Sequence, residues 1–130
     1  MLSDFGNVEK PELLNPLVLA YIGDAVYEVY VRTHIIGNGA IKTNELHRRA
    51  STNFVSAKAQ SQILDKITDF LTEEELNIVR RGRNANSNTI PKNADIADYK
   101  KATAFEALIG YLFLSKKNER LEEIIKIVLG

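Results

Sequence analysis

The chain has 130 residues, 45% of them hydrophobic and 26% charged, an ordinary composition for a soluble globular protein of one domain spanning residues 1–130. Lysine plus arginine equals aspartate plus glutamate at 17 each, so any attraction to a polyanion has to come from the arrangement of the charges. Cysteine is absent, which excludes disulfides and thiolate chemistry, and neither a leader nor an apolar run of membrane length is recognisable, so we expect a soluble cytoplasmic protein.

Residues 1–15 form a polar N-terminal segment that precedes a strongly apolar stretch. Asn15 and Pro16 are typical of a helix cap and of the first helical position after it. We therefore predict a central helix from this point to about Ile35. The Gly-Asn-Gly triplet at 37–39 ends it, since these residues tolerate the positive φ of a helix exit.

The central helix is apolar on nearly every side except along one charged stripe. At about 100° per residue, Asp24, Glu28 and Arg32 share this stripe, and apolar residues cover the other faces. A helix of this kind belongs in a core. A carboxylate there is costly unless a cation or a hydrogen-bond donor compensates it, so Asp24 is predicted to have a partner.

The middle of the chain predicts two more helical regions and a loop. Apolar residues recur at three- and four-residue spacing over residues 43–67, with a bend near residues 51–52. Thr72 and Glu75 form a capping box at the start of a short helix that ends in arginines. Residues 84–97 have no helical period and predict a long loop, of the kind that is more often functional than idle.

The C-terminal part predicts two further helices. From about Asp98 the chain forms another strongly apolar helix, on which Glu106 interrupts the apolar surface. Gly110 would allow a neighbouring backbone to approach this helix closely. The last helix is predicted over residues 119–129 with Asn118 as its cap. Because no stretch alternates like a strand, we predict an all-α protein.

Asp24 and Glu106 are the candidate site residues, because each interrupts the apolar surface of a different helix. If the two helices pack face to face, the carboxylates meet and a divalent cation relieves their repulsion. Ligation by two carboxylates, water and a substrate phosphate is typical of Mg²⁺, with Mn²⁺ as its substitute, and such an ion can activate water against a phosphodiester. The pattern alone leaves open that each acid is solvated or pairs with a cation, as Glu28 and Arg32 can.

Several separated motifs resemble the catalytic domain of the ribonuclease III family. They are LAYIGDAVYEVYVR around Asp24, VSAKAQ, RRGRNA, the pair Pro91 and Lys92, and ATAFEALIGYL around Glu106. They cover roughly residues 16–115, and their order and spacing are most similar to a short bacterial branch of the family that has the catalytic domain alone. The resemblance implies an all-α domain and a Mg²⁺-dependent endoribonuclease that hydrolyses double-stranded RNA, leaving 5′-phosphate and 3′-hydroxyl ends.

The resemblance also implies that Asp24 and Glu106 hold the metal ion and carry catalysis. Thr103 stands where the family usually has a second acid, and Leu17 and Ala20 replace two more. The four-carboxylate set is therefore absent, which leaves the number of metal ions open. The alternative function is a dimeric module that binds structured RNA without cleaving it, and a third is a helical interaction protein with no RNA role.

The partners are likewise implied by the resemblance. Family members act as homodimers in which each protomer cuts one strand, and the branch points to maturation of 23S ribosomal RNA, with a large-subunit ribosomal protein as a further partner. Since we expect no separate RNA-binding domain, the catalytic domain itself has to contact the phosphates and 2′-hydroxyls of the duplex. A solvated charged face is the alternative role of its basic residues. The RNA-binding candidates are Arg81, Arg83, Asn84, Lys92 and Lys58.

Overall fold

A computed structural model describes residues 2–39, 42–85, 90, 92–93 and 95–130. These parts of the chain contain helices and no strand, which confirms the predicted all-α class. Short 3-10 turns cover Leu2–Phe5, Pro11–Leu13 and Thr68–Phe70, and a π-helical turn over Ser51–Val55 occupies the predicted bend. The α-helices are α1 (Pro16–Gly37), α2 (Thr43–Ala50), α3 (Ala57–Ile67), α4 (Glu73–Asn84), α5 (Ile96–Leu114) and α6 (Asn118–Leu129).

Helix α5 is the centre of the fold, and α1, α3, α4 and α6 pack around it. Every residue from 107 to 112 is buried, as expected of a helix that is apolar on all sides. The fully buried Tyr27 ring from α1 meets the Phe105 ring of α5 edge to face, with the ring centroids 4.9 Å apart. The Tyr27 hydroxyl donates to the Phe54 carbonyl at 3.0 Å, so one side chain joins α1, α5 and the π-helical turn.

Two glycines set the close crossing of α1 and α5. A Cβ added to Gly23 of α1 would lie 1.8 Å from the carbonyl oxygen of Glu106. A Cβ added to Gly110 of α5 would lie 1.9 Å from the carbonyl oxygen of Leu19. Distances this short exclude a side chain at either position. The predicted close approach at Gly110 is confirmed, and Gly23 supplies the matching half of the contact.

The predicted starts of α1 and α4 are confirmed by their capping hydrogen bonds. Asn15 Oδ1 accepts from the Leu17 N–H at 2.9 Å. The Glu75 N–H donates to Thr72 Oγ1 at 3.2 Å, and the Thr72 N–H donates to Glu75 Oε1 at 2.9 Å, which completes the capping box. Both caps were readable from the sequence because they depend only on residues within one turn.

Two predicted helix starts are wrong by one or two residues. Helix α5 begins at Ile96, before the predicted Asp98, because Asp95 caps it by accepting from the Asp98 N–H at 3.0 Å. The segment between α4 and α5 is correspondingly shorter than the predicted loop at 84–97. Helix α6 begins at Asn118 itself, so this residue is the first helical one and not the cap.

Helix α1 buries one face in the core, as predicted for a helix of this composition, and leaves its opposite face uncovered by the described helices. Its buried residues lie toward α5 and the rest of the bundle, and no described helix covers the opposite side. The large apolar residues on the uncovered face are Val18, Tyr21, Val29 and Ile36, with 49%, 82%, 55% and 59% of their surface exposed.

None of the described helices is long and apolar enough to cross a membrane.

Candidate active site

Asp24 and Glu106 face each other where α1 crosses α5. The preceding residue, Gly23, rests on the Glu106 backbone, so the two helices are in direct main-chain contact beside the acids. The two carboxyl groups lie close enough for a hydrogen bond between them. Asp24 is on the exposed rim and Glu106 is half-buried beneath it. Among the described residues, the partner of Asp24 is therefore a second acid and not a cation.

The carboxyl groups of Asp24 and Glu106 repel each other when both are ionised. Burial and then the neighbouring Asp24 raise the pKa of Glu106 to about 9, the charge of Glu28 adds to this, and the Gln60 amide opposes it. Near neutral pH the pair therefore holds a proton in the absence of a cation, since two adjacent carboxylates do not both stay ionised without a compensating charge. The Glu28 carboxylate already forms an ion pair within α1, because the Arg32 Nε donates a hydrogen bond to it at 3.0 Å.

The donor set fits a hard divalent cation. Asp24 and Glu106 offer carboxylate oxygens only, which is the ligand type that Mg²⁺ prefers. No group of three or more acids, histidines or cysteines suitable for a metal ion occurs among the described residues. Two carboxylates leave most coordination positions to water and to a phosphate, as in many Mg²⁺ sites that act on phosphates.

The three positions where the family carries further acids contribute no carboxylate in this chain. Ala20 is buried, and Leu17 lies near Thr103 on the wall of a small cavity. The Thr103 hydroxyl donates to the Tyr99 carbonyl at 3.1 Å, one turn earlier in α5. Thr103 therefore uses its proton within its own helix, and Asp24 and Glu106 are left as the acids of the site.

Gln60 of α3 also belongs to the site, and sequence reasoning did not single it out. It has 1% of its surface exposed, and its Nε2 donates to the Val55 carbonyl at 3.2 Å. Its side-chain amide lies beside the Glu106 carboxyl. A signal was present in the sequence, since Gln60 is a polar residue in the apolar phase of α3, four residues before Leu64.

The RNA-binding candidates fall into two groups. Arg81 is engaged within the fold, since its two terminal nitrogens donate to the carbonyls of Glu12 and Leu14 at 2.5 and 2.8 Å. This guanidinium ties the N-terminal segment to α4, a structural role that sequence reasoning did not foresee. A backbone tie between residues so far apart in sequence has no local sequence signal.

The other candidates point away from the core. Arg83 and Asn84 are exposed at the end of α4, Lys92 is exposed between α4 and α5, and Lys58 is exposed in the first turn of α3. Within the described ranges, Arg83, Lys92 and Lys58 make no ion pair. Residues 86–89, 91 and 94 of the predicted loop at 84–97 lie outside the described residues, and so Pro91 of the quoted pair does too.

Known proteins resemble this chain both in sequence and in fold. The family model described as Ribonuclease III domain matches residues 17–117. A protein of Brevibacillus brevis named Mini-ribonuclease 3 is 58% identical to this chain, and the match covers 89% of this chain and 86% of the relative. A protein of the same name from Clostridium tetani is 54% identical, and the match covers 90% of this chain and 78% of the relative. A crystal structure of a Fusobacterium nucleatum protein is 38% identical and superposes with a TM-score of 0.79, covering 88% of this chain and 92% of its own.

The family model includes both helices of the candidate site and covers about the same part of the chain as the motifs quoted above. The fold and the order of the elements agree with the sequence relationship, since the crystal structure superposes over most of both chains. The chain therefore belongs to the ribonuclease III family, in the branch of the Mini-ribonuclease 3 proteins, and is an endoribonuclease.

Proposed function

We propose that this chain is a Mg²⁺-dependent endoribonuclease that cleaves double-stranded RNA in the cytoplasm as a homodimer. The observation that carries the proposal is the meeting of Asp24 and Glu106 at the α1–α5 crossing. Ribonuclease III enzymes generally use a divalent metal and act on double-stranded RNA as dimers. The family resemblance also supports a role in the maturation of 23S ribosomal RNA, with a large-subunit ribosomal protein presenting the substrate.

Asp24 and Glu106 would hold the cation through their carboxylate oxygens. Bound Mg²⁺ supplies Lewis-acid activation of water and neutralises charge on the phosphodiester. Glu106 gives up its proton as the site is occupied, because metal ligation requires the ionised carboxylate. The backbone contact at Gly23 holds the two ligand-bearing helices at a constant distance, so the carboxylates are oriented before substrate arrives.

Tyr27 forms the floor beneath the acids without taking part in proton transfer. Burial, and then the charges of Glu28 and Glu106, raise the pKa of its phenol well above the ordinary value. The phenol therefore stays neutral and keeps its hydrogen bond to the Phe54 carbonyl. Tyr27 is fully buried and Asp24 is exposed, so the rim at Asp24 is the side of the site open to a duplex.

The uncovered face of α1 supports the homodimer. Val18, Tyr21, Val29 and Ile36 form one exposed apolar stripe along the helix. A contiguous apolar stripe of this kind marks an interaction surface more often than a chance patch. A twofold pairing of α1 with its copy would cover it and bring the two Asp24 rims to the same side of the dimer.

The exposed cations support contact with an RNA backbone. Arg83, Lys92 and Lys58 make no ion pair within the described chain, so their charge is available to phosphates, and Asn84 can hydrogen-bond a sugar or phosphate. Arg81 is left out of this surface because its guanidinium is already bonded to backbone carbonyls. The second candidate function, a dimeric RNA-binding module without cleavage, is favoured by one observation, the hydroxyl of Thr103 in the place of a family acid.

A labelled RNA duplex incubated with the protein in Mg²⁺ or in EDTA tests the proposal. We expect cleavage in Mg²⁺ only, and a loss of about 10³-fold in rate for Asp24→Asn with unchanged circular dichroism and dimer mass. Asp69→Asn, which alters an exposed aspartate outside the site, is the matched control and should cleave normally. Binding without cleavage would favour the RNA-binding module. The absence of both binding and cleavage would contradict both functions.

A further inference from the structure

Gln60 is a buried polar residue for which packing alone gives no reason. It lies on the face of α3 that packs against α5, with 1% of its surface exposed. Its Oε1 is enclosed and accepts no hydrogen bond from any residue that the structure describes. An unpaired buried acceptor costs stability, and leucine or methionine in this position would avoid that cost. The amide therefore calls for a functional explanation.

The orientation of the Gln60 amide follows from its anchor. The Val55 carbonyl can only accept a hydrogen bond, so the group that faces it at 3.2 Å has to be the amide nitrogen. A primary amide nitrogen carries two hydrogens. The second is available to the Glu106 carboxyl, beside which this amide lies.

We propose that Gln60 is a positioning residue for Glu106, whose carboxylate it holds turned toward Asp24 by means of an amide anchored on the Val55 carbonyl. This inference rests on the proposed metal site formed by the two acids. A ligand that is already oriented does not lose side-chain freedom when the cation binds, so the affinity is higher. Val55 ends the π-helical turn, and the shape of that turn therefore sets where the amide lies.

A purely structural role predicts different behaviour. If Gln60 only tied Val55 to α3, its replacement would lower stability and leave the affinity for a divalent cation unchanged in the folded protein. A positioning role predicts weaker cation binding and a lower kcat, with an unchanged KM for the duplex, because the RNA surface does not include this buried side chain. The cation affinity therefore separates the two roles.

The test compares Gln60→Met with Gln62→Met in the full chain. Methionine keeps the length of the side chain and removes the amide, and Gln62 is an exposed glutamine on the same helix, which makes it a matched control. Titration calorimetry with Mn²⁺ alone, without RNA, measures the affinity, and thermal unfolding confirms the fold. We expect the dissociation constant for Mn²⁺ to rise about tenfold in Gln60→Met and to stay unchanged in Gln62→Met.

A second measurement uses the wild-type protein and does not depend on whether Gln60→Met folds. In ¹H–¹⁵N spectra the side-chain amide signals of Gln60 should shift as Mg²⁺ is added, while those of Gln62 should not. An unchanged Mn²⁺ affinity in folded Gln60→Met, or Gln60 signals that do not respond to saturating Mg²⁺, would overturn the positioning role alone. Wild-type protein that binds neither cation would overturn the metal site and this inference together.

Discussion

Glu75 and Glu106 both lie between packed helices of this fold, Glu75 buried and Glu106 half-buried, and the charges that face them differ. Glu75 has 4% of its surface exposed and accepts two hydrogen bonds from the Arg120 guanidinium, at 2.8 and 2.9 Å, and a third from the Thr72 N–H. Burial alone would raise the pKa of Glu75, but the hydrogen bonds and charge of Arg120, with the help of Thr72, hold it below its ordinary value. The fold supplies this carboxylate with its own cation.

No cation of this kind faces Glu106 within the part of the chain that the structure describes. Glu106 faces Asp24, and its pKa is raised to about 9 by burial and by that second acid. The comparison shows what distinguishes a structural buried acid from a candidate catalytic one in the same protein. The first is neutralised by the fold, and the second stays incomplete until a cation arrives from solution.

The largest expected effect is on cleavage, because only one of the two glutamates is proposed to touch the cation. We expect Glu106→Gln to lower kcat on a duplex by about 10³-fold, since an amide ligates a hard cation far more weakly than a carboxylate. The matched variant Glu75→Gln should keep kcat within about twofold at a temperature where it stays folded. Equal losses in both variants would erase the distinction between the two sites.

The same two variants should change stability in opposite directions. Glu75→Gln leaves the Arg120 guanidinium without its main partner, so we expect the free energy of unfolding at pH 7 to fall by about 2 kcal/mol. Glu106→Gln removes the repulsion from Asp24, so the metal-free protein should become more stable at pH 8. Urea unfolding in EDTA, at one protein concentration, measures both. A destabilised Glu106→Gln would mean that this pair is not strained.

The two acids also predict opposite pH dependence in the metal-free protein. The folded-state pKa of Glu106 is raised from 4.5 to about 9, so the stability it contributes is complete below about 4.5 and is lost as the pH rises toward 9. The folded-state pKa of Glu75 is lowered, so its contribution is present above the ordinary value and is lost as the pH falls through the lowered one. Unfolding measured from pH 3 to pH 9 in EDTA should show both declines. The substitution Glu106→Gln, or saturating Mg²⁺ in place of EDTA, should remove only the loss of stability that occurs as the pH rises toward 9.

The smallest expected effect extends the comparison to two arginines on α4. Arg83→Met should reduce the slope of log affinity for duplex RNA against log salt by about 0.7 to 0.9, because one phosphate contact is lost. Arg81→Met should leave that slope unchanged and lower the melting temperature, because its guanidinium is bonded to the carbonyls of Glu12 and Leu14. Binding is measured by fluorescence anisotropy with Asp24→Asn, which prevents cleavage. If the salt slope changed only in Arg81→Met, the RNA contact would belong to Arg81 and the proposed role of Arg83 would be wrong.

The features that were predictable from the sequence are those with local or strongly periodic signals. The caps at Asn15 and Thr72 depend on residues within one turn, and the apolar length of α1 and α5 identified them as core helices. The juxtaposition of Asp24 and Glu106 was predictable because each acid interrupts an otherwise apolar helix. Their environment could not be predicted, since the exposure of Asp24 depends on which side of α1 stays uncovered.

The features that were not predictable depend on tertiary contacts. The bonds from Arg81 to the carbonyls of Glu12 and Leu14 follow from how the N-terminal segment packs, and arginine side chains carry no mark of this in the sequence. Gln60 gave a weak signal as a polar residue in an apolar phase, but its neighbour Glu106 is brought to it only by the packing of α3 on α5. Helix periodicity identifies faces, and contacts between faces require the fold.

The two glycines at the crossing of α1 and α5 have a consequence for protein engineering. Gly23 and Gly110 place each backbone directly on the other, so the spacing of the acids is decided by main-chain atoms rather than by the sizes of surrounding side chains. Grafting this active site onto another helical pair would therefore require moving four residues, two acids and two glycines, because side chains at the two glycine positions would push the helices, and with them the carboxylates, apart.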